Sequence, residues 1–174
     1  MKNCKSIVAA FAVSLLSFVP ARAEGYIKPY IGADAILSRA KSSNRVLPSV
    51  VAGSAFKFED FYVEPEIRFN PVDNVYRRKR DDNFRIKDIY GLGLNLGYEF
   101  IDGFSFALTF KESFMQAKSD NINSHRFVSE YGCGFKYNIS DELSVTTTFD
   151  TKKFKKSDIK TIVRRFAMGI RYNF

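Results

Sequence analysis

The chain has 174 residues, one domain's worth, with a formal charge of +8, 45% hydrophobic residues, nine Tyr, eighteen Phe and no Trp. Its mean hydropathy of −0.19 and the lack, after residue 23, of any run near the about 20 apolar residues of a membrane helix exclude a helical membrane protein. Two cysteines, Cys4 and Cys133, and one histidine leave no material for a disulfide framework or a metal cluster, so no cofactor is expected.

Residues 1–23 read as a cleaved secretory signal. Lys2 and Lys5 make the basic start, 7–19 the apolar core, and Ala21-Arg22-Ala23 the small-x-small site. Cys4 leaves with it, so the mature chain 24–174 keeps Cys133 alone and carries 24 basic against 19 acidic residues, a charge of +5. From there the sequence repeats one unit, an alternating run of about ten residues followed by a turn or loop.

Eight runs follow in order. Residues 26–37 set Ile31, Ala33, Ala35 and Leu37 against Tyr30, Gly32 and Asp34. Residues 50–58 set Val50, Ala52, Phe56 and Phe58 against Val51, Gly53 and Lys57. In 61–69, Phe61, Val63, Pro65, Ile67 and Phe69 alternate with Tyr62, Glu64, Glu66 and Arg68. Residues 89–100 put Leu92, Leu94 and Leu96 opposite Gly93, Asn95, Gly97 and Glu99, and the glycines leave room for long charged neighbours. The fifth run, from Phe104, opposes Phe106, Leu108 and Phe110 to Ser105, Ala107, Thr109 and Lys111. The sixth, 127–138, opposes Tyr131, Cys133, Phe135 and Tyr137 to Glu130, Gly132, Gly134 and Lys136. The seventh, 143–151, is weaker. The last, ending at Phe174, alternates Phe166, Met168, Ile170, Tyr172 and Phe174 with Arg165, Ala167, Gly169, Arg171 and Asn173. A period of two places each set on one side of a strand.

A soluble barrel shows the same period with its apolar side inward. Three features choose the opposite sense. First, the polar face collects balancing charges, Asp34, Glu64, Glu66, Glu99, Glu130 and Asp150 with Arg68, Lys111, Lys136, Lys152, Arg165 and Arg171, which pair inside a narrow lumen. Second, the connections after runs two, four and six are short and acidic (Glu59 and Asp60; Asp102; Asp141 and Glu142), whereas the others are long and basic. Third, aromatics fall into two girdles. One is at the short-turn end (Phe58, Phe61, Tyr98, Phe100, Phe104, Tyr137, Tyr172, Phe174) and the other at the long-loop end (Tyr90, Phe110, Phe114, Phe127, Phe149). The absence of Trp departs from the commonest girdle composition. The reading is an all-β, eight-stranded antiparallel up-and-down transmembrane β-barrel, with the long loops outside the cell.

The signal, the eight runs and the Ile170-x-Tyr172-x-Phe174 ending resemble the OmpA/OmpX/opacity-type family of small outer-membrane barrels, across 24–174. The resemblance implies recognition of Ile170, Tyr172 and Phe174 by the outer-membrane assembly machinery, contact with outer-membrane lipids and lipopolysaccharide, and a monomer. It also implies surface loops that adhere to host molecules or act as antigens, and at most a small, intermittent pore. The family's periplasmic peptidoglycan-binding domain has no counterpart in the sequence. The loops carry Arg39, Lys41 and Arg45 in 38–49, then Arg77, Arg78, Lys79 and Arg80, then Lys153, Lys155, Lys156 and Lys160. Arg77, Arg78, Lys79, Arg80, Lys155 and Lys156 make a crown suited to a sulfated glycan or to lipid phosphates, and export argues against nucleic acid. An enzyme that modifies outer-membrane lipid is the alternative class, resting on His125 with Ser124, Ser129 and Glu130. Adjacent Ser124 points to the other face, Ser129 is about 13 Å along a strand, and Phe127 stands where the His-x-Ser spacing of lipid A deacylases needs serine. No catalytic site is therefore expected.

Overall fold

The computed structural model describes residues 26–40, 43–71, 74–77, 83–119, 122–156 and 159–174. The signal reading of 1–23 and loop residues Arg78, Lys79 and Arg80 lie outside the described residues. Nine strands occur: β1 Tyr26–Ala40, β2 Ser43–Phe58, β3 Phe61–Phe69, β4 Asn74–Arg77, β5 Asn83–Ile101, β6 Phe104–Ser119, β7 Ile122–Asn138, β8 Leu143–Lys156 and β9 Ile159–Asn173. All pairings are antiparallel. β1 pairs with β9, and β3 with β5, so the sheet closes on itself. β3 and β4 both lie against β5, making one interrupted wall strand, and the barrel has eight staves.

The stagger follows from the register. Starting at Leu47, the paired row runs through Ile36, Ala167, Thr148, Gly134, Ala107, Gly97 and Tyr62 and returns to β2 at Lys57, displaced by ten residues. For eight strands that displacement tilts each by about 40° and gives a backbone diameter of roughly 16 Å, narrow enough for side chains to fill.

Alternation divides the wall as the runs imply. Along β3 the exposure pattern alternates, with Phe61, Ile67 and Phe69 exposed outside and Tyr62, Glu64, Glu66 and Arg68 buried inside. The same outward face carries Leu92, Leu96, Phe106, Leu108, Tyr131, Phe135, Met168 and Ile170, all exposed. An unbroken apolar belt of this extent is stable only when lipid covers it. Rings mark both rims. At the turn end Phe61 packs on Tyr98 (4.9 Å) and Phe100 on Phe104 (5.2 Å); at the hairpin end Tyr90 stacks on Phe114 (5.0 Å) and Phe114 meets Phe127 (5.3 Å).

The tight turns are at 59–60, 102–103 and 139–142. Glu59 and Gly103 take positive φ there, 54° and 74°, as tight reversals between twisted strands require. At the other end the strands run past the sequence-based limits. Residues 38–49, expected as a loop, are mostly strand: β1 pairs with β2 up to Ala40 and Ser43, and Ser38 and Ser49 point into the lumen. From Ser38 to Arg45 both faces of the hairpin are mostly polar, so the period-two signal fades there while backbone pairing continues.

Glycine on the inner face makes room for ring and charge. A Cβ on Gly97 would overlap the ring of Tyr62 opposite, and one on Gly53 would meet Tyr30. Gly97→Ala therefore costs about 1–3 kcal/mol of stability through overpacking, read as a shifted urea midpoint for the barrel in lipid vesicles. Shortening the opposing ring in Tyr62→Ser restores part of the loss.

Candidate functional site

The inner face supplies two regions with chemistry, an ionic core and a mouth at the turn end. In the core, Asp34 of β1 lies between two guanidinium groups. Arg171 Nη1 donates to its Oδ1 (2.5 Å), and Arg68 Nη2 is 3.0 Å from its Oδ2. Arg68 also donates to Glu66 (3.2 Å), which accepts from Asn95 (3.2 Å) and Tyr30 (3.4 Å). Across the lumen, Asp150 accepts from Lys111 (2.8 Å) and Thr109 (2.7 Å). Nearer the hairpin end Glu130 accepts from Arg165 (3.1 Å), Lys152 (3.3 Å) and Ser113 (2.6 Å). Arg68, Arg165 and Arg171 extend over a level where the facing wall is glycine. A Cβ on Gly169 would collide with Asp34, one on Gly132 with Asp150, and one on Gly93 with Glu66.

Charges do not fill the lumen alone. Ile36, Leu47 and Ala167 form a buried apolar cluster on β1, β2 and β9, and Val51, Met115, Val128 and Val163 are buried on the inner face as well. The ionic groups therefore sit in a medium poorer in water than an open channel, where an unpaired charge is costly.

At the turn end the lumen opens into a cavity of about 570 Å³ lined by Tyr26, Lys28, Lys57, Tyr62, Glu99 and Lys136 among others. Lys57 pairs with Glu99 (2.6 Å) and Lys136 with Glu64 (2.5 Å). Further in, a water-sized void of about 30 Å³ lies beside Glu66, Arg68 and Arg171. That void shares Tyr62, Glu64 and Lys136 with the lining of the cavity.

The sequence-derived residues fall as follows. Glu64, Glu66, Arg68, Glu99, Lys111, Glu130, Lys136, Arg165 and Arg171 all face inward, and each is within 3.3 Å of an opposite charge. Ile170, Tyr172 and Phe174 face outward and are exposed, with Tyr172 and Phe174 rings 5.3 Å apart at the turn end. Arg77 ends β4 opposite Asn83, and Lys155 and Lys156 lie on β8 opposite Lys160 and Ile159; their side chains are outside the described residues. His125 is on β7 opposite Gln116, its side chain likewise undescribed. Its proposed companions separate: Ser129 faces outward and donates to Glu112 (3.0 Å), while Glu130 is committed to Arg165 and Lys152 inside. Ser129 and Glu130 thus cannot serve one catalytic centre. Among the described residues no cluster of His, Cys, Asp and Glu is arranged to hold a metal ion.

The sequence reading already set Val51, Thr109 and Ala167 on the inner face, and did not single out the inward Leu47, Ser113, Met115, Val128 and Val163. With Ala35 and Leu37 on the outer face a period of two turns Ile36 inward, but the apolar run Ala35-Ile36-Leu37 does not mark that side as lumen.

No protein-family model matches the chain, and no curated protein does. Solved structures share its fold. The attachment invasion locus protein Ail of Yersinia pestis, in complex with the heparin analogue sucrose octasulfate, aligns over 87% of this chain and 99% of that one, with a TM-score of 0.57 at 15% identity. Neisserial surface protein A aligns over 86% and 99% (TM-score 0.53, 14% identity), and a major outer membrane protein from Thermus thermophilus over 85% and 99% (0.51, 12%). At these identities the likeness is one of fold, and that fold is the small outer-membrane β-barrel.

Proposed function

We propose that this barrel stands in a bacterial outer membrane with its turns in the periplasm and its long hairpins outside the cell, where they bind extended sulfated or phosphorylated polymers in an adhesin-like role. The observation that carries this is topological. The connections holding Arg77, Arg78, Lys79 and Arg80, and Lys155 and Lys156, both leave the end opposite the acidic turns, from staves on opposite sides of the barrel. Lys155 is directly opposite Lys160 in the register, so the β8–β9 hairpin concentrates like charge that an external anion would relieve. With a mouth roughly 16 Å across, one small anion reaches one cluster, whereas a repeating polyanion engages both. That Ail was solved with a heparin analogue supports a sulfated glycan as the ligand class. Ile170, Tyr172 and Phe174, outward at the turn end, serve as the strand signal for assembly.

The test is retention of the folded, full-length barrel on immobilised heparin as salt is raised. Changing all six cations to Gln lowers affinity by on the order of tenfold or more at moderate ionic strength, and the difference shrinks as salt screens the charges. Equal retention of the variant and the parent refutes the crown.

A further inference from the structure

The lumen and the outer wall treat positive charge differently. Inside, Arg68, Lys111, Lys136, Lys152, Arg165 and Arg171 each lie within 3.3 Å of a carboxylate. Outside, three cations at the hairpin end have no such partner among the described residues. Arg39 of β1 is directly opposite Arg164 of β9, and Arg164 is opposite Thr151 of β8, two residues before Lys153. Arg39, Arg164 and Lys153 are all exposed, while their neighbours Ser38, Arg165 and Lys152 are buried in the lumen, so the three side chains project from the outer surface.

Directly opposed like charges destabilise a strand pair. Among the described residues nothing on the adjoining outer wall compensates: the outward neighbours are Leu37, Asn44, Val46, Phe127, Ser129, Tyr131, Thr151, Ile162 and Phe166, none of them acidic. Among the described residues an outer-wall acid first occurs at Glu112, on β6, and it accepts from Ser129.

Height decides what meets this patch. The paired rows descend ten residues in one circuit of eight staves, about 1.25 residues per strand. Level with Arg39 are therefore Lys153 on β8, Phe127 on β7 and Phe114 on β6, with Arg164 only slightly lower. Phe114 and Phe127 belong to the aromatic girdle at the hairpin end, their rings 5.3 Å apart. Such girdles mark the plane of lipid headgroups. Counting along β9 gives the same answer. From Phe174 to Arg164 is ten residues of tilted strand, roughly 25 Å of height, the full thickness of the apolar band of a barrel of this kind. One layer below the cations lies greasy wall, with Phe149 packed on Phe166 at 4.7 Å.

We infer that Arg39, Lys153 and Arg164 form a binding site for the phosphate group of an anionic lipid, whose acyl chains lie on the apolar wall beneath. The site is separate from the polyanion crown: it uses none of the crown's residues, faces the bilayer and binds a molecule already in the membrane. A triangle of two forked guanidinium groups and an ammonium suits a phosphomonoester better than a zwitterionic headgroup, in which the anion already has its cation.

The probe is phosphatidic acid. The folded full-length barrel is reconstituted in phosphatidylcholine bilayers containing it, extracted into detergent, and the lipid retained is measured by native mass spectrometry. Phosphatidic acid is retained in preference to phosphatidylcholine, and Arg39→Gln with Lys153→Gln and Arg164→Gln reduces that retention by on the order of tenfold or more. Arg45→Gln, which removes an exposed cation from the other face of the same hairpin, leaves retention unchanged, and Arg39→Lys with Arg164→Lys, which keeps the charge but not the fork, keeps part of it. Inorganic phosphate in the extraction buffer fails to displace the lipid. Heat-dependent gel mobility shows that each variant is folded. Equal retention by the triple variant, no preference for phosphatidic acid in the parent, or full displacement by inorganic phosphate overturns the lipid site. None of these outcomes depends on heparin binding, so the two readings fail separately.

Discussion

Replacing Glu130 with alanine lowers the unfolding free energy of the barrel by about 3–5 kcal/mol, the cost of removing the carboxylate that three buried donors share. Glu130 is 1% exposed and joins Arg165, Lys152 and Ser113, three donors from three strands. Without it Lys152 and Arg165 lose that carboxylate on an inner face that also carries Val128, Val163 and Met115, all buried. Neither can leave by rotating its side chain, because β8 and β9 fix both on the inner face. The informative comparison is Glu99→Ala. Its partner Lys57 is 25% exposed at the open mouth and is rehydrated in place, so the loss there is about 1 kcal/mol or less. Equilibrium urea unfolding in lipid vesicles separates the two. Equal losses would mean that water reaches Glu130 as freely as Glu99. Removing the charges together, with Glu130→Leu, Lys152→Met and Arg165→Met, recovers much of the stability lost in Glu130→Ala, since buried cations are costly once the Glu130 carboxylate no longer balances them.

How far this was legible in the sequence depends on what surrounds each strand. Between Phe61 and Phe69, lipid lies on one side and the lumen on the other, so the chain must alternate and the strand limits can be read to the residue. Past the bilayer that contrast ends. Ser38, Arg39, Asn44 and Arg45 look like loop, yet they pair as strand, and the outward projection of Arg39 beside Arg164 is invisible without the register. The lumen charges were legible as a balanced set, because no other setting for a polar strand face needs so many acids and bases in equal measure. Their partners were not. Glu130 on β7 meets Arg165 on β9 across an intervening strand, a contact set by the ten-residue stagger of the closed sheet and not by sequence spacing. The apolar inner residues were legible by position and not by type: a period of two turns Ile36 and Val51 inward, but in runs apolar on both faces nothing marks that side as lumen.

Arg68→Ala together with Arg171→Ala widens the lumen inward of the mouth, and single-channel conductance in planar bilayers rises at least several-fold. These two guanidinium groups converge on Asp34 at the level where Gly32, Gly93, Gly132 and Gly169 form much of the wall. Glycine contributes no side chain to the obstruction, so at this level the long arms crossing from β3 and β9 fill the lumen, and the void beside them is about 30 Å³. Truncating both also changes the sign of the local field. Asp34 loses its two cationic partners and Glu66 loses the guanidinium 3.2 Å away, while Asn95 and Tyr30 stay as neutral donors. The opened path is therefore cation-selective, which a reversal potential in a salt gradient reads directly. Restoring bulk without charge, as Arg68→Met with Arg171→Met, keeps the conductance low while costing stability, because Asp34 is then buried unpaired. Traces from the alanine double variant matching the parent would locate the barrier higher, among Glu130, Arg165 and the apolar cluster of Ile36, Leu47 and Ala167.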